Sequence, residues 1–258
     1  MPPATTRSIP ENAVASGGSR PVRVAEQIKE WVVARGLRAG DRLPSEPELI
    51  ERFGMAKGTI REAMRILEAQ GLIKTRTGPG GGSFVHEVSM ERARALLGNY
   101  FYFKNLTIAD IYQLRRVLEP ELAASLAGRL PDTVLAELED NIAHYDAPAE
   151  TAAEEREQHI NSLRFHALLA RQSENDLLAF MIDFMAQMLS DLTVYRKLYA
   201  KPNLELWSRG RDYQARLVAA LRDGDSEAAR RIMASHMDTA QALMQEQEAE
   251  IRRNFIPG

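Results

Sequence analysis

Two short helical patterns, separated by only three residues, constrain the fold of this sequence more than any other feature. The first covers Glu46–Phe53 and follows Ser45. Ser45 and Glu48 have the spacing of a capping box, in which each side chain bonds the backbone amide of the other residue. Gly54 comes next, and glycine is the residue that most often ends a helix in a left-handed conformation. We therefore predict a short, capped helix.

The second pattern covers Lys57–Gln70 and ends before Gly71. Its apolar residues recur at helical spacing along one stripe, which contains Ile60, Met64 and Leu67. Arg61 and Arg65 stand away from that stripe. Two helices joined by a short turn, with basic residues on the second, are typical of the helix-turn-helix, whose second helix enters the major groove of DNA.

The flanking segments complete a small domain. Val24–Ala34 has the spacing of an amphipathic helix. Leu72–Arg76 and Ser83–His86 can pair as strands around the glycine-rich stretch Gly78–Gly82, whose backbone could approach a sugar-phosphate ridge closely. That composition alone is also typical of a flexible linker, and its position after the helix-turn-helix is what favours a wing.

Charge is distributed unevenly along the chain, whose net charge is −3. Residues 20–86 hold 12 Lys and Arg against 8 Asp and Glu, a balance of +4, whereas residues 87–258 have a balance of −7. A basic segment beside an acidic one suggests that the first meets a polyanion. Ordinary scatter in composition could produce the same difference in charge. Whether residues 20–86 bind a polyanion therefore has to be judged from their helical pattern.

The rest of the chain, from Val88 onwards, shows repeated helix signals and no strand pattern. Glycine is nearly absent from the helical stretches, which are rich in Ala, Leu, Glu, Arg and Met. An antiparallel helical bundle is expected. The helices are predicted at about 107–128, 131–145, 150–172, 176–199, 203–222 and 225–255.

Composition excludes several classes of protein. The sequence has no cysteine, which removes disulfides, thiolate metal sites and cysteine nucleophiles. Charges such as Asp183 and Asp191 interrupt the best apolar stretches, so we expect no membrane helix and no membrane partner. Residues 1–20 lack the apolar block of a signal peptide and are predicted to be a disordered tail. A cytoplasmic location is expected.

The first domain, predicted at residues 21–87, resembles the winged helix-turn-helix of GntR-family transcription regulators. The resemblance is carried by Gly40-Asp41, Leu43-Pro44-Ser45-Glu46, Phe53-Gly54, Thr59-Ile60-Arg61-Glu62-Ala63, Leu67, Gly71-Leu72 and Gly82–Val85. It implies binding of double-stranded DNA. The candidate DNA contacts are Ser45, Lys57, Gly58, Thr59, Arg61, Arg65, Gly80 and Gly81. For any single arginine the alternative is a solvated helix face.

Three positions depart from the family pattern. Pro47 and Lys57 replace arginines, and a lysine cannot make the bidentate contact to guanine that arginine makes. Ala56 replaces the Ser or Thr that would cap the second helix, although Thr59 and Glu62 could form a later capping box. We therefore expect the preferred operator to differ from those usual in the family.

The second domain, predicted at residues 88–258, resembles the all-helical FCD domain of FadR-type regulators. The matching segments are Asp110–Pro120, Phe165-His166, Asn175, Ala220–Asp225, Ala228-Ala229 and His236. Many FCD domains hold a metal ion that presents a small carboxylate effector. The corresponding positions here are Ser162, His166, Gln214 and His236, of which only two are good ligands for a transition metal. His159 is seven residues, about 10.5 Å, from His166, too far for both to bind one ion.

Several interpretations of these positions remain open. Arg115 shares the apolar stripe of Ile111, Leu118 and Leu122, and a buried guanidinium needs an anion, either Glu119 one turn on or an effector carboxylate or phosphate. His166 and His236 could be hydrogen-bonded core residues, ligands of a weakly held divalent metal, or part of a metal-free pocket. No cofactor is certain. The candidate effector-binding residues are Arg115, Ser162, His166, Gln214 and His236.

The sequence therefore indicates a mainly α protein: an N-terminal winged helix-turn-helix followed by an all-α bundle. The expected function is a homodimeric transcription regulator, a repressor rather than an activator, that binds a palindromic operator and a small organic acid. It is not expected to be an enzyme, because the candidate site lacks a carboxylate and one imidazole. The alternatives are a helical metal-dependent enzyme fused to a nucleic-acid-binding module, and a non-catalytic dimerising adaptor with a solidly packed bundle.

Overall fold

The structure, a computed structural model, describes residues 18–195, 198 and 202–255. The chain divides into two compact units, one up to Ala93 and the other from Arg94 onwards. Residues 1–17 of the predicted tail lie outside the described residues. The predicted fold class is confirmed, since a helix-turn-helix with a two-stranded hairpin precedes a region built from helices.

From residue 18 onwards, where the structure describes it, the first unit contains three helices and a hairpin ahead of the helix that leads to the second unit. They are α1 (Arg20–Ala34), α2 (Glu46–Phe53), α3 (Lys57–Gln70), β1 (Ile73–Arg76) and β2 (Gly82–Val85). The strands pair in antiparallel register, with Ile73 opposite Val85. Apolar side chains from all three helices and β1 form one core, which contains Val24, Ile28, Leu49, Ile60, Leu67 and Ile73. This core fixes α3 against the rest of the unit.

The predicted boundaries of α2 and α3 are confirmed. The Ser45 amide and hydroxyl both donate to Glu48, at 2.7 and 2.6 Å, as the capping box requires. Gly54 and Gly71 end the two helices in left-handed conformations. The suggested capping box at Thr59 is wrong, because α3 begins at Lys57 and Thr59 lies inside it, while Ala56 provides no side-chain cap.

A helix that the sequence analysis did not delimit, α4 (Met90–Tyr102), crosses the division between the units. Leu96, Tyr100 and other apolar residues of α4 are exposed. Its first turn is tied to the first unit, since the Arg92 guanidinium donates to the carbonyl of Ala69 in the last turn of α3. A cation is favourable there because the last carbonyls of a helix lack partners within it.

The described residues of the second unit form six further helices. They are α5 (Ile108–Leu126), α6 (Asp132–Ala143), α7 (Ala152–Ala170), α8 (Asp176–Tyr195), α9 (Leu204–Asp223) and α10 (Ser226–Phe255). Thr107 and Thr151 cap α5 and α7. One core joins all six helices. Helix α5 packs most extensively on α10, α7 packs on α8, and α9 packs on α10.

Helix α8 corrects one expectation from the sequence. Asp176–Val194 is long and apolar enough, by length and composition, to cross a membrane, so the statement that no such stretch exists was wrong. A core helix of a soluble protein can have the same length and composition. Residues such as Ile182 and Leu189 belong to the core of the second unit, and Asp183 forms an ion pair with Arg94.

Candidate functional site

The exposed face of α3 carries a row of cations. The side chains of Lys57, Arg61 and Arg65 are 62%, 57% and 77% exposed. They stand at every fourth position, so they follow one face of the helix. Arg65 also lies 3.4 Å from Glu62. This face can offer three positive charges to a polyanion without any rearrangement of the core.

Glu46, at the start of α2, holds two of these cations in place. Its carboxylate lies 2.8 Å from Arg61 Nε and 3.6 Å from Lys57 Nζ. The hydrogen bond from Arg61 lowers the pKa of the Glu46 carboxyl, and Lys57 adds to the effect. Because Glu46 occupies the Nε edge of Arg61, the terminal guanidinium nitrogens remain for an external acceptor.

The other predicted contacts of the helix-turn-helix have different environments. Gly58 has open space where a side chain would project. Thr59 is half-buried, and Ser45 is exposed but committed to the capping box of α2. The structure therefore places Gly58 at the surface of α3, where another molecule can come close to the backbone. The side chain of Ser45 stabilises the start of α2.

The wing depends on its glycines for its shape. Gly80 has a φ of +76°, a conformation that side chains disfavour. A Cβ on Gly81 would stand 2.6 Å from the Arg76 carbonyl oxygen and 2.8 Å from that of Gly78. Arg42 donates to the Gly81 carbonyl at 2.6 Å. The tip is thus a defined turn rather than a flexible linker.

Two exposed arginines beside the wing were missed by the sequence analysis. Arg42 lies against Gly81 and Gly82, and Arg76 stacks on the ring of Phe84 with 4.7 Å between guanidinium and ring centre. Arg42 comes from the loop before α2, and backbone bonds between that loop and β2 bring it to the hairpin. The first unit therefore carries exposed arginines at the wing as well as on α3.

The second unit contains a cavity between α5, α7, α9 and α10. Its volume, counted as space open to the centre of a water molecule, is about 50 Å³. One water needs roughly 10–15 Å³ by this measure, so the cavity has room for about three to five water-sized groups. Four predicted effector residues line it: Arg115, Ser162, His166 and His236. The adaptor alternative required solid packing at this place, which is not what the described residues form.

A buried ionic chain closes one end of the cavity. Arg115 is only 1% exposed, and its Nε donates to Glu119 at 2.5 Å. The other carboxylate oxygen of Glu119 accepts from His166 Nδ1. Burial alone would raise the pKa of Glu119, but Arg115 and His166 outweigh it and lower the pKa to about 2. The suggested pairing of Arg115 with Glu119 is therefore present.

The pairing leaves Arg115 partly unsatisfied. Its Nη2 is buried and has no hydrogen-bond partner. The Arg115 guanidinium also lies over the ring of Tyr112, 5.0 Å from the ring centre. A buried guanidinium nitrogen without a partner in the wall of a cavity is a binding point for an anion.

The two histidines stack in the cavity wall. The ring centres of His166 and His236 are 5.2 Å apart, at an angle of 17°. Burial lowers the pKa of both rings, and it lowers that of His236 well below the usual value. Since a carboxylate only accepts, His166 donates its Nδ1 proton to Glu119 and keeps an unprotonated Nε2 in its neutral form.

Gln214 does not line the cavity but lies behind its wall. It is fully buried, and its Nε2 donates to the Ser162 carbonyl and hydroxyl oxygens at 3.2 and 3.3 Å. Its Oε1 accepts from the Tyr145 hydroxyl. Both ends of the carboxamide are thus occupied within the protein.

This arrangement does not fit the metal ion that the FCD resemblance implies. Gln214 has no free oxygen and Ser162 offers a hydroxyl in place of a carboxylate, so His166 and His236 are the two good ligands left at these four positions. Among the described residues, no group of three or more His, Asp and Glu side chains has the geometry to hold an ion. We derive no step through a metal.

The far side of the cavity contains polar residues that the sequence analysis did not select. Gln158, His159, Trp207 and Arg211 line it together with Glu155. Burial lowers the pKa of His159 to about 4, with Arg115 adding to the effect. His159 was considered only as a metal ligand. Its place two turns before His166 on α7 puts it on the same face, and that spacing could have identified it.

Comparison with known proteins agrees with both halves of the chain. The FCD domain family matches residues 110–239, half of the chain, and the family described as bacterial regulatory proteins, gntR family, matches residues 21–85. The Glc operon transcriptional activator of Escherichia coli K12 is 27% identical over 253 residues, covering 91% of this chain and 93% of that protein.

Two further likenesses extend the comparison. The HTH-type transcriptional regulator LutR of Bacillus subtilis 168 is 23% identical and covers 81% of this chain and 93% of its own. The solved structure of a Streptococcus agalactiae GntR protein has a TM-score of 0.58 and 22% identity, covering 86% of this chain and 99% of that one. At this identity the structure supports the fold alone.

Proposed function

The chain belongs to the gntR family of bacterial regulatory proteins, with an FCD domain as its second unit, and from this premise we propose that it is a dimeric repressor controlled by a small carboxylate. It is a transcription regulator and not an enzyme. Two features support the proposal of a repressor controlled by a carboxylate. They are the row of exposed cations on α3 and the buried arginine, in the wall of a cavity, that has an unpartnered nitrogen.

Helix α3 would enter the major groove. Lys57, Arg61 and Arg65 would meet phosphates and base edges, while Gly58 and Thr59 allow the backbone at the start of α3 to come close. Ser45 would contribute from the capped start of α2. The wing, through Gly80 and Gly81, would lie along the adjacent sugar-phosphate backbone, flanked by Arg42 and Arg76.

Homodimerisation would set the form of the operator. A single recognition helix reads only a few base pairs, and two copies related by a two-fold axis read two inverted half-sites. We therefore expect a short palindrome. This role requires access to the chromosome and thus a cytoplasmic location.

The carboxylate effector would bind at Arg115. Its Nη2 can donate to one carboxylate oxygen, and the unprotonated Nε2 of His166 and the stacked His236 form the adjacent wall. Ser162 is the remaining proposed contact, and Gln214 would support it from behind through the hydrogen bonds already described. No metal is required in this arrangement.

Ligand binding would change DNA binding by shifting a population. The effector shifts the dimer towards the spacing of its two DNA-binding units in which the cavity binds the effector more tightly. The size of this shift is set by the difference between the effector's affinities for the two spacings. We propose repression because occupancy of an operator is sufficient to block a promoter. Addition of the effector is then expected to release the operator.

The test begins with selection of genomic fragments bound by the purified protein, followed by measurement of their affinity for variants. Arg61→Ala is expected to abolish specific binding without unfolding the protein, because the side chain is exposed. Lys29→Ala on α1 removes the same charge away from α3 and serves as the control. Equal operator affinity for Arg61→Ala and the wild-type protein would overturn the proposed role of α3.

A further inference from the structure

We propose that Glu46, at the start of α2, is a positioning residue for DNA recognition, which holds Arg61 so that this arginine reads one guanine in the major groove. The specificity of α3 then depends on a residue of the helix before it. This inference rests on the proposed function, since it assumes that α3 enters the groove. It goes beyond that function because it assigns the preference for one base pair to two named side chains.

The carboxylate of Glu46 has one cation at each of its oxygens. Its Oε2 accepts from Arg61 Nε at 2.8 Å, and its Oε1 lies 3.6 Å from Lys57 Nζ. Two contacts in different directions fix the plane of the carboxylate, and the carboxylate in turn fixes the guanidinium of Arg61. The side chain of Glu46 is 33% exposed and that of Arg61 is 57% exposed. The anchor is therefore the more covered group, and the cation is the group that reaches the solvent.

The position of Glu46 is set by the fold of the first unit. Glu46 is the first residue of α2, directly after Ser45, whose amide and hydroxyl donate to Glu48. Leu49 of the same helix belongs to one core with Ile60 of α3. The capping box and this core hold the start of α2 beside the exposed face of α3. Removal of the Glu46 side chain leaves both of them in place.

The contact with Glu46 decides which edge of the Arg61 guanidinium is available to DNA. An arginine can present two parallel N–H donors either from Nε and one terminal nitrogen or from its two terminal nitrogens. Glu46 occupies Nε, so Arg61 presents Nη1 and Nη2. Guanine has two neighbouring acceptors in the major groove, O6 and N7, whereas adenine has one acceptor and one donor there. This end of Arg61 therefore matches guanine.

The two other cations of α3 are less suited to reading a base. Lys57 has a point charge and no planar fork, so it cannot make two parallel bonds to one base. Arg65 has the fork, but it is 77% exposed and lies 3.4 Å from Glu62, so its guanidinium is held less firmly. A loosely held side chain loses more conformational entropy on binding than one that is already in place. We therefore expect Lys57 and Arg65 to contact phosphates and Arg61 to select the base.

A carboxylate on this face is unfavourable for DNA binding in general. The hydrogen bond from Arg61 lowers the pKa of the Glu46 carboxyl, so the group is charged at neutral pH. That charge opposes the attraction between α3 and the phosphates of any sequence. Glu46 thus lowers the overall affinity and raises the discrimination between sequences. Loss of its side chain should separate the two quantities, whereas damage to the fold would lower both.

The experiment measures the base preference of full-length variants by fluorescence anisotropy. The probes are a labelled duplex from a genomic fragment that the wild-type protein selects, the same duplex with each base pair of one half-site exchanged in turn, and a duplex of random sequence. Arg61→Lys keeps the charge but loses the fork, so the base pair at which it loses its preference is the one that Arg61 reads. The wild-type protein is expected to favour guanine there by about five- to 150-fold. Circular dichroism checks that each variant is folded.

Three variants assign this preference to Glu46. Glu46→Ala is expected to lose the preference at the base pair found with Arg61→Lys and at no other, with unchanged or stronger binding of the random duplex. Glu46→Gln loses the same charge but keeps an oxygen that can accept from Arg61 Nε, so it should retain most of the preference. Glu62→Ala removes a carboxylate beside Arg65 and should leave the preference intact. Combining Glu46→Ala with Arg61→Lys should add no further loss, because both changes remove the same contact.

The outcomes separate the two proposals. An unchanged preference for guanine in Glu46→Ala, an equal loss in Glu62→Ala, or an equal loss of binding to the random duplex overturns the role of Glu46 and leaves α3 as the recognition helix. Failure of the wild-type protein to bind any duplex, or an unchanged preference in Arg61→Lys, contradicts the proposed role of Arg61 itself. A preference lost in Glu46→Ala and kept in Glu46→Gln and Glu62→Ala supports both.

Discussion

Replacement of Glu119 by glutamine removes the carboxylate that pairs with Arg115 inside the second unit. The two side chains are 1% exposed, and both oxygens of Glu119 are used, by Arg115 and by His166. Glutamine keeps the shape and one acceptor but loses the charge. Breaking a buried ion pair in this way typically costs about 3 to 5 kcal/mol, because the remaining charge stays desolvated.

Urea unfolding measures this loss. With an m-value of about 2 kcal/mol per molar urea, the midpoint should fall by about 2 M. The measurement uses the Trp31→Phe background, in which Trp207 reports on the second unit alone. Any ligand that places an anion at Arg115 should restore part of the loss.

Glu121→Gln provides the matched control on the same helix. Glu121 is exposed and pairs with Arg230 at 2.9 Å, and such surface pairs contribute little. Its midpoint should stay close to that of the wild-type protein. If Glu119→Gln and Glu121→Gln gave the same small change, the Arg115–Glu119–His166 chain would not be a stabilising feature and our reasoning on the buried charge would be refuted.

Three further predictions concern the wing, the metal and pH. Gly81→Ala should weaken DNA binding while leaving the unfolding of the second unit unchanged, because a Cβ would stand 2.6 Å from the Arg76 carbonyl oxygen. Fluorescence anisotropy with a labelled operator measures the affinity for DNA. An unchanged affinity would contradict the shape given to the wing. The double change Ser162→Asp with Gln214→His should create zinc binding that calorimetry can detect, since it supplies a carboxylate and an imidazole beside His166 and His236. Stoichiometric zinc in the wild-type protein would show that our rejection of a metal was wrong. The free energy of unfolding should fall as the pH drops from about 6.5 towards 4, because burial lowers the pKa of His159 to about 4 and the unfolded chain therefore binds the proton first. His159→Gln should flatten this part of the plot of urea midpoint against pH. An unchanged slope would refute that assignment.

Local sequence signals were sufficient for the first unit. The capping box at Ser45 and the stop glycines Gly54 and Gly71 act within a few residues, so the bounds of α2 and α3 could be predicted. Ser89 caps helix α4, since its hydroxyl accepts from the Arg92 amide at 3.3 Å, but several apolar residues of α4 are exposed, so its pattern was not distinct. Arg42 reaches the wing only through tertiary structure.

The cavity was predictable in part. Arg115 stood out because a cation on an apolar stripe needs a partner, and the structure supplies Glu119. Gln158 gave no such signal, because a polar residue at its position on α7 is equally typical of a solvated helix face. The position of its side chain depends on the Ala147 carbonyl in the loop before α7, and no periodicity of the sequence predicts that tertiary contact. Gln214 lies behind the wall because Tyr145 and Ser162 engage both ends of its amide.

The most direct test is operator binding by the full-length protein, measured by fluorescence anisotropy while the concentrations of salt and of a small carboxylate are varied. We predict that the logarithm of the affinity falls linearly with the logarithm of the salt concentration, and that the remaining non-specific binding of Arg61→Ala has a shallower slope. We also predict that a carboxylate which binds the cavity releases the duplex from the wild-type protein but not from Arg115→Gln. Absence of duplex binding at low ionic strength would contradict the central claim.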